Sequence, residues 1–135
     1  MNKKEKELHH LLDEGLSFAK KKIETERKLG EKLEYNPSKE PDPGWWLSFE
    51  EFERLVLVTE YHDKTGEEYG QDEGGRRLHA TFHCIVENQI SEGIEETKRL
   101  LTKKSQEFGN RHEAIHYLAR DISGDMFLTM QQMET

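Results

Sequence analysis

Two stretches decide how this chain is read: residues 76–90, RRLHATFHCIVENQI, and residues 110–122, NRHEAIHYLARDI. Each carries two histidines four residues apart, His79 with His83 and His112 with His116. At about 100° per residue, a four-residue step turns only about 40°, so each pair points one way from its helix. The neighbours say which way. Phe82, Val86 and Ile90 fall about −60°, −20° and +20° from His79, and His83 falls at about +40°. Ile115, Ala119, Met126 and Met130 fall between about −60° and 0° from His112, with His116 beside them. Both pairs lie within apolar stripes and are expected to face the interior.

Burying four imidazoles is costly unless each donor and acceptor nitrogen finds a partner. A divalent metal satisfies several at once, and imidazole suits zinc, iron, nickel and copper. His79, His83, His112 and His116 are therefore the candidate metal ligands. Zinc is the first choice, because two pairs on antiparallel helices match its tetrahedral shell. Glu87 lies four residues past His83 and has three readings: a fifth ligand, a partner holding a ring nitrogen, or a solvent-facing carboxylate. If Glu87 binds and a position stays open, iron or manganese fits instead. His62, at the end of the preceding helix, is a further candidate. His9 and His10 read as surface residues, and Cys84, rotated away from the pairs, as a small core filler.

Residues 112–116 also spell H-E-x-x-H, the zinc-peptidase pattern in which the glutamate activates water. Glu113 is on that account the candidate catalytic base of a small hydrolase. Three features count against it. Ala119 and Ile122 stand where the extended form of the motif needs Gly and His. Asn110 can cap the helix with Glu113 at its third position, which gives the glutamate a structural reason. No strand is expected that could align a peptide. Asp121, Asp125 and Glu134 are the remaining third-ligand candidates, none at a persuasive spacing.

The rest of the chain reads as helices. Leu8, Leu12, Leu16, Ala19 and Ile23 mark one narrow stripe on a long helix over about residues 2–34. That helix either packs on the domain or forms a homodimer, and if the histidines merely pack in the core the chain is a non-catalytic helical interaction module without metal. All three prolines fall within residues 36–44, where a linker is expected. A second helix is expected from Ser48, boxed by Glu51, to about Asp63, with Phe49, Phe52, Leu55, Val56 and Thr59 inward. One of Trp45 and Trp46 should pack back on its start. Residues 65–75 hold four glycines and read as a loop. Helices follow over about 76–90, 94–105 and 111–133. The expected fold is all-α: about four core helices and an extra long N-terminal helix. Its parts are an arm at 1–35, a linker at 36–47 and a core at 48–135.

Composition excludes several classes. A net charge of −8 leaves no broad basic face for nucleic acid. Lys20–Lys22 and Lys103–Lys104 are diluted by Glu24, Glu26 and Glu107 and read as solvated faces. No stretch approaches the ~20 apolar residues of a membrane span. One cysteine offers no disulfide within the chain, and residues 1–10 carry no signal-peptide pattern, so a cytoplasmic setting is expected.

Asp42-Pro43, Trp46-Leu47, Glu53-Arg54 and Tyr61-His62 precede Leu78-His79, His83, Glu87-Asn88-Gln89 and Arg111-His112-Glu113-Ala114-Ile115-His116. This order resembles a group of small bacterial proteins that share a domain of unknown function. The resemblance covers about residues 41–127 and leaves the N-terminal arm outside. It implies a bacterial cytoplasmic protein and carries no activity across. In that group the glutamate of H-E-x-x-H is aspartate in some members, which makes the histidine pairs the common element. The loop at 65–75 is longer and richer in glycine than the group's pattern, which bears on where His62 sits.

Overall fold

The computed structural model describes the backbone of residues 2–66 and 73–134, and the side chains of 2–66 and 75–122. Most of the 65–75 loop, the inward placement of Met126 and Met130, and the carboxylates of Asp125 and Glu134 lie outside the described residues. The chain forms α1 (Lys3–Lys28), α2 (Pro43–Leu47), α3 (Glu51–Thr65), α4 (Glu73–Ser91), α5 (Glu95–Phe108) and α6 (Arg111–Glu134). Among the described residues there is no strand, and no helix is long and apolar enough to cross a membrane. The helical bundle with a long N-terminal helix is the fold expected from the sequence.

α1 starts where Asn2 Oδ1 accepts from the Glu5 amide at 2.8 Å. It stops about six residues before the expected end. Gly30 takes φ +98°, its N–H bonds to Arg27 O at 3.0 Å, and the Glu31 N–H reaches Glu26 O at 3.1 Å. These bonds satisfy the last carbonyls and turn the chain out of the helix. Residues 33–36 then run extended into a turn at 37–38, with Leu33, Tyr35 and Pro37 buried and the residues between them exposed. Arg27 holds this segment by donating to Leu33 O at 2.6 and 3.1 Å, and it also pairs with Glu60 of α3 at 2.8 Å.

The expected linker contains a helix of its own. Pro43 opens α2, where its missing N–H costs nothing, and Asp42 Oδ2 accepts from the Trp45 amide at 3.0 Å. Ser48 was expected to open the next helix, yet it follows the end of α2, and its hydroxyl donates to Trp45 O at 2.6 Å. The box at the start of α3 is built two residues later, with Glu53 reaching back to accept from the Glu50 amide at 3.0 Å. Trp46 is fully buried, and its indole N–H donates to Asn88 Oδ1 at 2.8 Å. Arg54 donates to the same oxygen at 3.1 Å and to Trp46 O at 3.1 Å, which ties α2, α3 and α4 together.

The buried face of α3 differs from the expected stripe. Glu53, Val56, Leu57, Val58 and His62 are buried, whereas Phe52 is 36% exposed. The cause is a helix covered from two sides. α1 lies over Phe52, whose ring meets Gly15, and over Glu53, which pairs with Lys22 at 3.5 Å. α4 and α6 meet α3 around His62.

Two apolar clusters make the core. One joins Ala19 and Ile23 of α1, Leu33, Tyr35, Trp46, Phe49, Val56–Val58, Ala80 and Cys84. The other joins Phe82, Val86 and Ile90 of α4 to Leu101 of α5 and to Ala114, Ile115, Leu118 and Ala119 of α6. α4 is the wall between them. Taking His79 as zero, Phe82, Val86 and Ile90 span about −60° to +20°, and Ala80 and Cys84 lie at about 100° and 140°. His83 and Glu87 occupy the sector between, at about 40° and 80°, and His79, at 0°, stands beside it on the Ile90 edge. The histidines of α4 therefore sit on the seam where the two clusters meet.

The second half of α1 belongs to this core, while Leu8 and Leu11 of its first half are exposed. Ile23→Ala should accordingly lower stability by about 2–5 kcal/mol in urea unfolding. Leu8→Ala should stay within about 0.5 kcal/mol. Equal effects at the two positions would show that α1 does not divide in this way.

Candidate metal centre

Three helices contribute to the seam. α3 brings His62, α4 brings His79 and His83, and α6 brings His112 and His116. Donor nitrogens of His62, His79, His83 and His116 all lie within 4.8 Å of one another. His112 stands beside this group, with its Nε2 3.3 Å from His62 Nε2 and its ring 4.2 Å from that of His116. The sequence marks His79, His83, His112 and His116 as the leading set, with His62 as an addition. In space His62 is the hub: it is fully buried, and its ring lies 5.2 Å from those of His79, His83 and His112 and 6.0 Å from that of His116.

Hydrogen bonds on the outer side fix two of the rings. His62 Nδ1 lies 2.8 Å from Val58 O. A carbonyl can only accept, so the proton is on Nδ1 and the lone pair of Nε2 faces the cluster. His83 Nε2 lies 2.7 Å from the Tyr35 hydroxyl, which itself donates to Glu87 Oε2. The tyrosine has one proton and gives it to the carboxylate, so the His83 N–H must donate to the tyrosine oxygen. That places the His83 lone pair on Nδ1, which is buried and has no hydrogen-bond partner. Nε2 of His116 is likewise buried and unpartnered.

Glu87 is fully buried, which rules out the solvent-facing reading. Arg111 grips it through both oxygens, at 2.8 Å to Oε1 and 2.9 Å to Oε2. Arg111 also donates to Pro37 O at 2.9 Å and Lys39 O at 3.3 Å, so one guanidinium binds α6 to α4 and to the turn that ends the extended segment. Burial, and then the neighbouring Glu87 charge, hold the Tyr35 hydroxyl well above its ordinary range, so it stays a donor.

The start of α6 follows from its turn. Gly109 ends α5 at φ +67°, and Asn110 Oδ1 accepts from the Glu113 amide at 3.2 Å, the capping expected from the sequence. Glu113 is 58% exposed, and its carboxylate lies 3.9 Å from His116 Nδ1, across the ring from Nε2. Asp121 is exposed. His9 and His10 are exposed on α1, and Cys84 is buried, with its thiol pushed up chiefly by that burial.

Tyr35 and Arg111 were not among the candidates. Tyr35 lies 48 residues before His83 in a segment without periodicity, and no local spacing links them. Arg111 carries one signal, its position directly before His112, but its target is 24 residues away.

Comparison of the chain with family models, with curated proteins and with solved structures returned no match.

Burial, then the other rings, hold His83 well below the ordinary histidine range. Burial first, with His62 next, lowers His112 to about 4. Burial first, with His112 next, lowers His116 to about 3. The unfolded chain takes up protons near 6.5 that the folded chain refuses, so these groups stabilise fully above that pH. Their contribution is lost as pH falls from about 6.5 through about 4 to about 3. Each should cost on the order of 2 kcal/mol by pH 5. Chelator-treated protein should show a falling urea midpoint from pH 7.5 to 5.5, a range in which ordinary carboxylates stay ionised. A flat profile would mean that the rings are solvated.

Proposed function

We propose that this protein holds one divalent transition-metal ion in the cluster of His62, His79, His83 and His116, with His112 at its edge. The observation that carries the proposal is a group of four histidines with donor atoms within 4.8 Å of one another, two of which carry a buried, unpartnered nitrogen, Nδ1 of His83 and Nε2 of His116. Each such nitrogen costs about 1–3 kcal/mol if nothing satisfies it. An ion bound by the group removes that cost in one event.

The donors narrow the choice of metal. All are imidazoles, which suit zinc, copper, nickel and iron, whereas magnesium and calcium need oxygen. Zinc is the first expectation, because four nitrogens satisfy its tetrahedral shell. Iron or manganese with Glu87 as a ligand is less well supported, since both Glu87 oxygens are engaged by Arg111 and one also by Tyr35. In this reading Glu87 acts through Tyr35, which holds His83 in the tautomer that presents Nδ1.

A hydrolase based on Glu113 draws no support from its placement. The carboxylate is exposed beside the Nδ1 edge of His116, while the shared donor space lies on the Nε2 side. The Asn110 cap holds the Glu113 backbone amide, so the residue has a place in the helix start that needs no catalytic role.

Protein purified without a histidine tag should contain about one equivalent of metal. His83→Ala, His116→Ala together should remove it, and Glu113→Gln should keep it. Absence of metal, with no rise in melting temperature on adding zinc, nickel or cobalt, would leave only a helical bundle. Tyr35→Phe should fold and bind metal about 10–100-fold more weakly in chelator competition. Undiminished affinity would remove Tyr35 from the role assigned to it.

A further inference from the structure

Resting on the proposed metal centre, we infer that the bound ion takes a small inorganic anion as an additional ligand. The argument is one of charge. Every candidate donor is a neutral imidazole, so a divalent ion keeps both its charges. Among the described residues, the buried carboxylate nearest the donors is Glu87, and the bidentate pair with Arg111 cancels it. Glu113 approaches His116 Nδ1 at 3.9 Å but is 58% exposed, so water screens it. His62 and His83 are fully buried, where an uncompensated charge is most costly. An anion bound directly to the ion is the most economical compensation.

Coordination also allows it. Five imidazole rings lie 4.2–6.2 Å apart between neighbouring centroids. If His112 joins the other four, an ion that prefers six ligands has one position left. If it does not, such an ion has two positions left. The close rings limit the ligand to a few atoms. A groove of about 380 Å³ is bordered by Tyr35 and Tyr61, whose rings stand between it and the histidines. The Tyr35 ring stands edge-on to His83 at 5.5 Å, and that of Tyr61 edge-on to His62 and His112 at 5.6 and 5.5 Å.

Cobalt(II) and azide test this on the full chain. Cobalt is loaded into metal-stripped, untagged protein, and azide is titrated at pH 7 and constant ionic strength. The expected result is a new near-ultraviolet charge-transfer band that saturates at one azide per cobalt. The visible bands should then be weak, as five- or six-coordinate cobalt requires. Bound cobalt with intense tetrahedral bands that azide does not alter would overturn the inference and leave the metal centre standing. Failure to bind cobalt at all would overturn the metal centre and this inference with it.

Discussion

Five imidazoles gathered at one seam, three of them buried and two half-buried, need their nitrogens satisfied, and much of the arrangement follows from that need. A neutral ring has one donor and one acceptor, and leaving either unsatisfied away from water costs energy that a domain of this size can ill spare. The outer nitrogens of His62 and His83 are satisfied within the protein, by Val58 O and by the Tyr35 hydroxyl. The inner nitrogens converge. The division into outer bonds and inner lone pairs is what turns a polar defect into a candidate binding site.

The fold places the seam through α4. One flank of that helix packs against α1, α2 and α3, the other against α5 and α6, and the histidines occupy the strip between. A helix with two apolar flanks must have such a strip, and its residues are buried whatever their polarity. The strip therefore suits side chains that combine a polar edge with an apolar ring body, as histidine does. Arg111 closes the seam at one end by holding Glu87 and the backbone of residues 37 and 39 at once. The extended segment and the start of α6 are thus fixed by one side chain.

What could be read in the sequence was local. The two histidine pairs, their inward face, the Asn110 cap and the existence of each long helix all depend on steps of three or four residues. Those steps carry their geometry with them. Helix ends were less legible: the turn at Gly30 and the start at Glu50 each depend on hydrogen bonds that Ser48 or residues 31–34 could equally have offered. The central place of His62 could not be read, because a single histidine on α3 has no partner at helical spacing and its orientation depends on how α3 crosses α4. Tyr35 lay further out of reach. Its segment shows an in-and-out alternation only once the helix is known to stop at Gly30.

The path from Arg111 through Glu87 and Tyr35 to His83 explains why a carboxylate is buried here without touching the donor group. A carboxylate bonded directly to the His83 N–H would fix the tautomer and also place a negative charge against the ring. With a tyrosine between them, the proton position is still fixed, because the phenol gives its only hydrogen to Glu87 and must accept from His83. The charge stays one residue away, and Arg111 neutralises it there. Orientation and charge are thereby controlled by different groups. The four gathered donors stay electrically neutral while the His83 lone pair is aimed, and whatever occupies the centre meets nitrogen ligands whose positions were set before it arrived.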